Sequence, residues 1–125
     1  MTALRRWRIK LPYEVPPLTL NKSKSMHWAP KAKVIKELRE LAFWQARSHK
    51  IPPLDRVRVM IEWRVPDKRK RDVDNPVETV KPLADGLVDA GVVPDDSWQY
   101  MEGKGVEIVY DKGVRELFLT IEELG

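Results

Sequence analysis

Apolar and polar residues alternate at four places along the chain and recur at helical spacing at two others. Trp7, Ile9 and Leu11 alternate with Arg6, Arg8 and Lys10, a period of two that places apolar groups on one face of a strand. Val57, Val59, Ile61, Trp63 and Val65 alternate with Arg56, Arg58, Met60, Glu62 and Arg64 in the clearest strand of the sequence. Val106, Ile108 and Tyr110 predict a third strand and Leu117, Leu119 and Ile121 a fourth, with Asp111, Lys112 and Gly113 between them reading as a hairpin turn. A helix is expected from Pro30 to about Ser48, with Ile35, Leu38, Leu41, Ala42 and Gln45 along one side, ended by Ile51, Pro52 and Pro53. Val80, Leu83, Ala84 and Leu87 form the apolar arc of a second helix, which Gly91 stops. The expected order is β-α-β-α-β-β. One-sided alternation in the strands implies an α+β fold, a four-stranded mixed sheet with helices covering one face.

The second helix has an ordinary start signal: Asn75 as cap, Pro76 in the first helical position and Glu78 reaching back. Pro82 removes a hydrogen bond and disfavours helix in the residue before it, so a kink or a fresh start is expected near Lys81. Between the first strand and the first helix, Pro12, Pro16 and Pro17 with Asn21, Lys22, Ser23, Lys24 and Ser25 describe a long loop. It reads either as a plain surface connection or as a phosphate-contacting arm offering Lys22, Lys24, His27 and Trp28. His27 makes a poor metal ligand, because the only other histidine, His49, has no ligand-like spacing to it.

At 125 residues the chain suits one domain, 1–125, with a real core. A net charge of +4 and a pI near 9.4 favour an acidic partner. Many of the bases precede Asp72 and most of the acids follow it, which favours a basic face beside an acidic pocket. Absence of cysteine excludes disulfides and thiolate metal sites and fits a reducing cytosolic compartment. No apolar segment reads as a secretory signal or a bilayer span, so no membrane partner is expected.

The chemistry concentrates between Arg64 and Asp96. A basic run, Lys68, Arg69, Lys70 and Arg71, leads into Asp72, Val73, Asp74 and Asn75. Were the chain extended there, the carboxylates of Asp72 and Asp74 would share a side, and two like charges so close call for a cation. Oxygen donors of this kind suit Mg²⁺, with Mn²⁺ able to substitute, while the surrounding bases attract a polyanion. A third carboxylate must come from another segment; Asp96 is the better candidate and Asp95 the reserve. Lys81 lies seven residues, about two turns, beyond Asp74, and projects on the same side of a regular helix. Each residue also has a bland role. Asp and Asn before a helix are common capping residues, Asp95-Asp96-Ser97 can be a polar turn, and Lys81 can pair with Asp85 for roughly 0.2–0.5 kcal/mol.

Together these residues resemble the RusA family of Holliday-junction resolvases: Arg71-Asp72-Val73-Asp74-Asn75, then Lys81-Pro82-Leu83-Ala84-Asp85-Gly86-Leu87, then Asp95-Asp96-Ser97. The resemblance covers nearly the whole chain, and its specific part is the central third. It implies a homodimeric, Mg²⁺-dependent endodeoxyribonuclease that cuts four-way DNA junctions symmetrically in recombination and repair, with no small-molecule cofactor. It implies further that Asp72, Asp74 and Asp96 are catalytic and hold the metal, that Lys81 is the functional lysine and that Asn75 supports them. Lys81 lies further beyond Asn75 than the commoner family spacing. The basic residues Lys68, Arg69, Lys70 and Arg71, with Lys22 and Lys24, are expected to hold the DNA backbone. Two other readings remain: a non-catalytic basic nucleic-acid-binding domain, and a metal nuclease acting on other branched DNA.

Overall fold

A computed structural model describes residues 4–19, 28–74 and 76–125, without the side chains of Trp28, Ala29 and Lys104. The expected loop residues Lys22, Lys24 and His27, and the expected cap Asn75, lie outside the described residues. Six elements follow in order: β1 (Arg6–Lys10), α1 (Trp28–Ser48), β2 (Arg56–Val65), α2 (Val77–Asp89), β3 (Met101–Tyr110) and β4 (Glu116–Leu124). The fold is α+β, with a mixed four-stranded sheet in the order β1-β4-β2-β3. β2 and β3 run parallel, joined through α2, and β4 runs antiparallel to both β1 and β2.

The hairpin expected between the last two strands does not form. β4 instead enters the sheet between β1 and β2, and the charges on the strands give the reason. Glu122 of β4 lies opposite Arg6 of β1 on one side and Arg58 of β2 on the other, and Glu116 lies opposite Arg64. Arg6 pairs with Glu122 at 3.2 Å, Lys10 with Glu116 at 3.0 Å and Arg8 with Glu62 at 2.6 Å. Opposite charges directly across a ladder favour pairing and like charges oppose it, so the acidic strand sits best between two basic ones. Arg8 also lies over the Phe118 ring at 3.6 Å, so the face turned away from the helices is an ion-pair lattice around a shielded aromatic. Among the described residues, the bases of β1 and β2 are therefore matched by acids across the sheet.

The opposite sheet face carries the core. Ile9, Val57, Val59, Ile61, Leu117, Leu119 and Ile121 are buried there with Val80, Leu83 and Leu87 of α2 and Leu38, Ala42 and Ala46 of α1. The two helices approach closely at Gly86, where an added Cβ would lie 2.8 Å from Ala42 Cβ and closer still to the Arg39 carbonyl oxygen. Arg39 and Asp89 tie the same helices together (Nη2 to Oδ1, 2.8 Å). The first part of the long loop is no free connection. Leu18 is fully buried, and its N–H and C=O both bond the Thr79 hydroxyl of α2, at 3.1 and 2.7 Å. These two bonds satisfy the one buried polar side chain among the described residues.

Several expected element ends shift. β3 starts at Met101, well before the apolar run at Val106, because the ladder with β2 slips by one residue between Arg58 and Met60. Gly103, at φ 64°, supplies the bulge, and the sequence Gly103-Lys104-Gly105 hides the strand from a test of alternation. α2 continues through Pro82, so of the expected kink or fresh start near Lys81 the fresh start does not occur. Its cap position is held by Pro76, one place before the position expected for it, so no side-chain cap bond is made there. Gly91 ends α2 as expected: at φ 81° it donates to the Val88 carbonyl while Val92 donates to that of Leu87, a Schellman motif.

α1 ends in the same way with a residue poorly suited to the task. Lys50 adopts φ 53° and donates to the Arg47 carbonyl, and Ile51 donates to that of Ala46. A side chain in this left-handed position is strained, so Lys50→Gly is expected to raise stability by roughly 1 kcal/mol, read as a higher urea midpoint at unchanged slope.

The lattice also sets the acid response. Glu62 is held below its ordinary value of 4.5 chiefly by the Arg8 hydrogen bonds, then by Arg64, with burial opposing. Hydrogen bonds hold Glu102 and Glu123 down in the same way, first from Arg58 and first from Arg5 respectively. A carboxylate with a lowered folded pKa stabilises the fold above its unfolded value and loses that contribution as pH falls through the folded one. Stability should therefore be flat above pH 4.5 as far as these groups are concerned and should fall below it. Glu62→Gln should make the fall shallower in urea titrations across that range.

Candidate functional site

β2 ends at Val65, and residues 66–74 then form a loop instead of continuing as a strand. The expected shared strand face for Asp72 and Asp74 is therefore absent. The Asp72 carboxylate accepts the Asp74 N–H at 2.9 Å, a turn closed by its own side chain. Both aspartates are exposed. Each retains a carboxylate oxygen that this turn does not use.

Earlier in the loop, Asp67 accepts the Arg69 N–H at 3.0 Å and pairs with Arg71 at 3.0 Å. Those contacts hold the Asp67 carboxyl below the usual range, the Arg69 N–H first and the Arg71 side chain after it. Arg71 bonds the carbonyls of Asp67 and Arg69 and lies 5.7 Å from the Trp63 ring centre, so it is the brace of the loop. Lys68 lies over Tyr110 at 5.2 Å, and Lys70 is exposed. The loop is fastened to the β3–β4 turn: Asp111 donates its N–H to Val65 at 2.9 Å and Gly113 to Pro66 at 3.1 Å.

On α2, Lys81 does two things. Its ammonium pairs with Asp85 at 2.8 Å, the local role open to it from sequence, and with Asp96 at 2.7 Å, fifteen residues away. Asp85 first and Asp96 second raise the Lys81 pKa, so the group is a fixed cation near neutral pH and unsuited to act as a base. Asp95 accepts the Ser97 N–H at 2.7 Å and is held below the ordinary carboxylate range by the Ser97 hydroxyl and N–H. The two neighbours thus divide the work: Asp95 builds the turn and Asp96 faces Lys81. Beside Lys81, a cleft of about 360 Å³ opens between α1 and α2, lined by Lys31, Ile35, Val77, Glu78, Pro82 and Asp85.

The structure therefore joins Lys81 to Asp96 and keeps Asp72 beside Asp74. Among the described residues, no three His, Cys, Asp or Glu side chains converge as a group able to hold a metal ion. No protein-family model matches the chain, and no curated protein matches it. What the site can do follows from its own side chains. Asp72, Asp74 and Asp96 offer only carboxylate oxygens, the donor type a hard cation requires, and the exposure of Asp72 and Asp74 leaves room for its waters. In donor chemistry they fit Mg²⁺.

Three residues escaped the sequence reading. Lys112 and Arg115, both exposed, flank the β3–β4 turn onto which the basic loop is fastened, and neither has an acidic partner among the described residues. As a base facing the loop Arg115 carries no local signal, because only the fold places it in one cleft with Arg69 and Arg71. Trp98, 79% exposed, stands two residues beyond Asp96. An indole so open to water could have been noticed as a polar turn's odd member. No helix among the described residues is long and apolar enough to cross a membrane.

Proposed function

We propose that the chain is a Mg²⁺-dependent endodeoxyribonuclease that cuts four-way DNA junctions during recombination or repair, as a homodimer, in the manner of the RusA family it resembles. The observation that carries this reading is the contact of Lys81 with Asp96. It joins the middle of α2 to the acidic turn, while Asp72 and Asp74 lie just before the same helix. A lysine kept charged beside carboxylates suits a reaction in which negative charge grows on phosphate.

Asp72, Asp74 and Asp96 would hold the cation. Bound there, Mg²⁺ supplies polarisation of the phosphate and a lowered pKa for the attacking water. Hydrolysis joins the water oxygen to phosphorus and breaks one phosphoester bond, the departing sugar oxygen taking a proton. Lys81 would counter the added charge on the phosphate oxygens, and Lys68, Arg69 and Lys70 would hold the strand without reading its sequence. Trp98 would offer a flat platform to a base unstacked at the branch. Two symmetric cuts need two centres, which two-fold pairing of chains provides.

One observation favours the second reading, a non-catalytic nucleic-acid-binding domain. Asp72 and Asp95 each close a turn, and Asp85 and Asp96 neutralise Lys81, so all four carboxylates have structural employment. The two readings separate on turnover. Labelled four-way junction, linear duplex and single strand are incubated with the protein in Mg²⁺ and in EDTA. The nuclease reading expects junction cut in Mg²⁺ alone, with linear duplex intact over the same time. Binding without turnover in either condition would leave the second reading standing, and equal cutting of all three DNAs would remove the junction.

A further inference from the structure

Beneath the basic loop lies a second cleft, of about 260 Å³, on the side of the loop that meets the sheet. Its lining includes Trp63 and Arg64 of β2, Arg69 and Arg71 of the loop, Arg115 just before β4, and the acids Glu14 and Asp67. Four guanidinium groups thus border one small space against two carboxylates. The pairings make the imbalance sharper. Arg64 is already matched by Glu62 at 2.7 Å and Asp111 at 3.1 Å. Arg71 is spent on Asp67 and on two backbone carbonyls, and Arg69 reaches Asp67 only at 3.5 Å. Arg115 is exposed and has no acidic partner among the described residues.

This differs from the sheet face, where the arginines of β1 and β2 meet carboxylates across the ladder. Here Arg115 has no acidic partner among the described residues and Arg69 has only the 3.5 Å contact with Asp67, and both line the same cleft. Arg71 lies 5.7 Å from the Trp63 ring centre and bonds two loop carbonyls, so the loop presents its remaining donors from a fixed base. A guanidinium presents forked donors that fit a phosphate, and a cleft of this size suits one phosphate with its sugar better than a large organic anion.

We infer that this cleft is a phosphate-binding subsite for a DNA strand, in which Arg115 and Arg69 contact one backbone phosphate at a place separate from Lys81 and Asp96. It rests on the proposed action on DNA and deepens it, since the loop that carries Asp72 and Asp74 also carries the subsite. The phosphate would be gripped from two distant parts of the sequence, fixing the loop relative to the strand.

The test is the salt dependence of binding to a labelled four-way junction in Ca²⁺, for the full chain and for Arg115→Ala, Arg115→Lys and Lys36→Ala. Lys36 lies on α1 and serves as a control for loss of charge anywhere on the surface. Losing one phosphate contact should flatten the slope of log K against log salt by about 0.9 and weaken binding on the order of tenfold near 50 mM salt. Arg115→Lys should recover most of the slope, and Lys36→Ala should leave it unchanged. An unchanged slope in Arg115→Ala, or an equal loss in Lys36→Ala, overturns the subsite. Turnover of the wild-type protein in Mg²⁺ is measured beside it. Turnover with an unaffected Arg115→Ala slope removes the subsite alone, and a flattened slope without turnover removes the nuclease reading alone. A wild-type chain that binds no DNA removes both.

Discussion

Asp72→Asn and Asp74→Asn should each lower Mg²⁺-dependent junction cleavage by at least about 100-fold while leaving junction binding intact. The structure makes Asp72→Asn an unusually clean substitution. The Asp72 side chain accepts the Asp74 N–H at 2.9 Å, and an asparagine carbonyl can accept the same bond, so the turn survives. What changes is charge, the property needed to hold a hard cation. Removing a negative group close to DNA should leave binding in Ca²⁺ equal or tighter, because one repulsion is lost. Loss of cutting with retained binding therefore isolates the carboxylate's chemistry from its structural role. Both variants cutting at the wild-type rate would assign the aspartates to the turn alone.

Gly86→Ala should lower stability substantially by crowding the contact between the two helices. An alanine Cβ there would press on the Arg39 carbonyl and lie 2.8 Å from Ala42 Cβ, so α1 and α2 must separate. Overpacking of this kind costs about 3 kcal/mol, and the better helix propensity of alanine offsets about 1, leaving a net loss of about 2. Gly91→Ala is the informative comparison, because nothing lies within 4 Å of its added Cβ and only the φ of 81° opposes it. Its cost should be nearer 1 kcal/mol. Urea midpoints for the pair separate crowding between helices from backbone strain. A Gly86→Ala protein as stable as wild type would mean the helices do not approach so closely.

Where one residue's neighbours in sequence are also its neighbours in space, the sequence was readable. Alternation located β1, β2 and β4, the apolar arcs located both helices, and Gly91 marked the end of α2. The connection of the last two strands was misread because Asp111-Lys112-Gly113 is a sound local turn signal, whereas β4's neighbours are chosen by bases on two distant strands. β3 lost its first half to a glycine bulge, and α1 ends on a lysine in a conformation that normally advertises itself as glycine. At the candidate site, residue types gave the donors but not their partners. An aspartate that closes a turn and one that faces a lysine look alike in sequence, as Asp95 and Asp96 do.

Asp96 is the residue on which the proposed site turns, since it must serve the same cation as Asp72 and Asp74 from a separate segment. The most direct measurement is a Mg²⁺ titration of junction cleavage by the wild-type protein and by Asp96→Asn, with DNA saturating. Participation in the site predicts that Asp96→Asn cuts far more slowly at every Mg²⁺ concentration, or needs much more Mg²⁺ to reach half its maximal rate. Superimposable titrations would contradict it and leave Asp96 as no more than the counter-charge of Lys81.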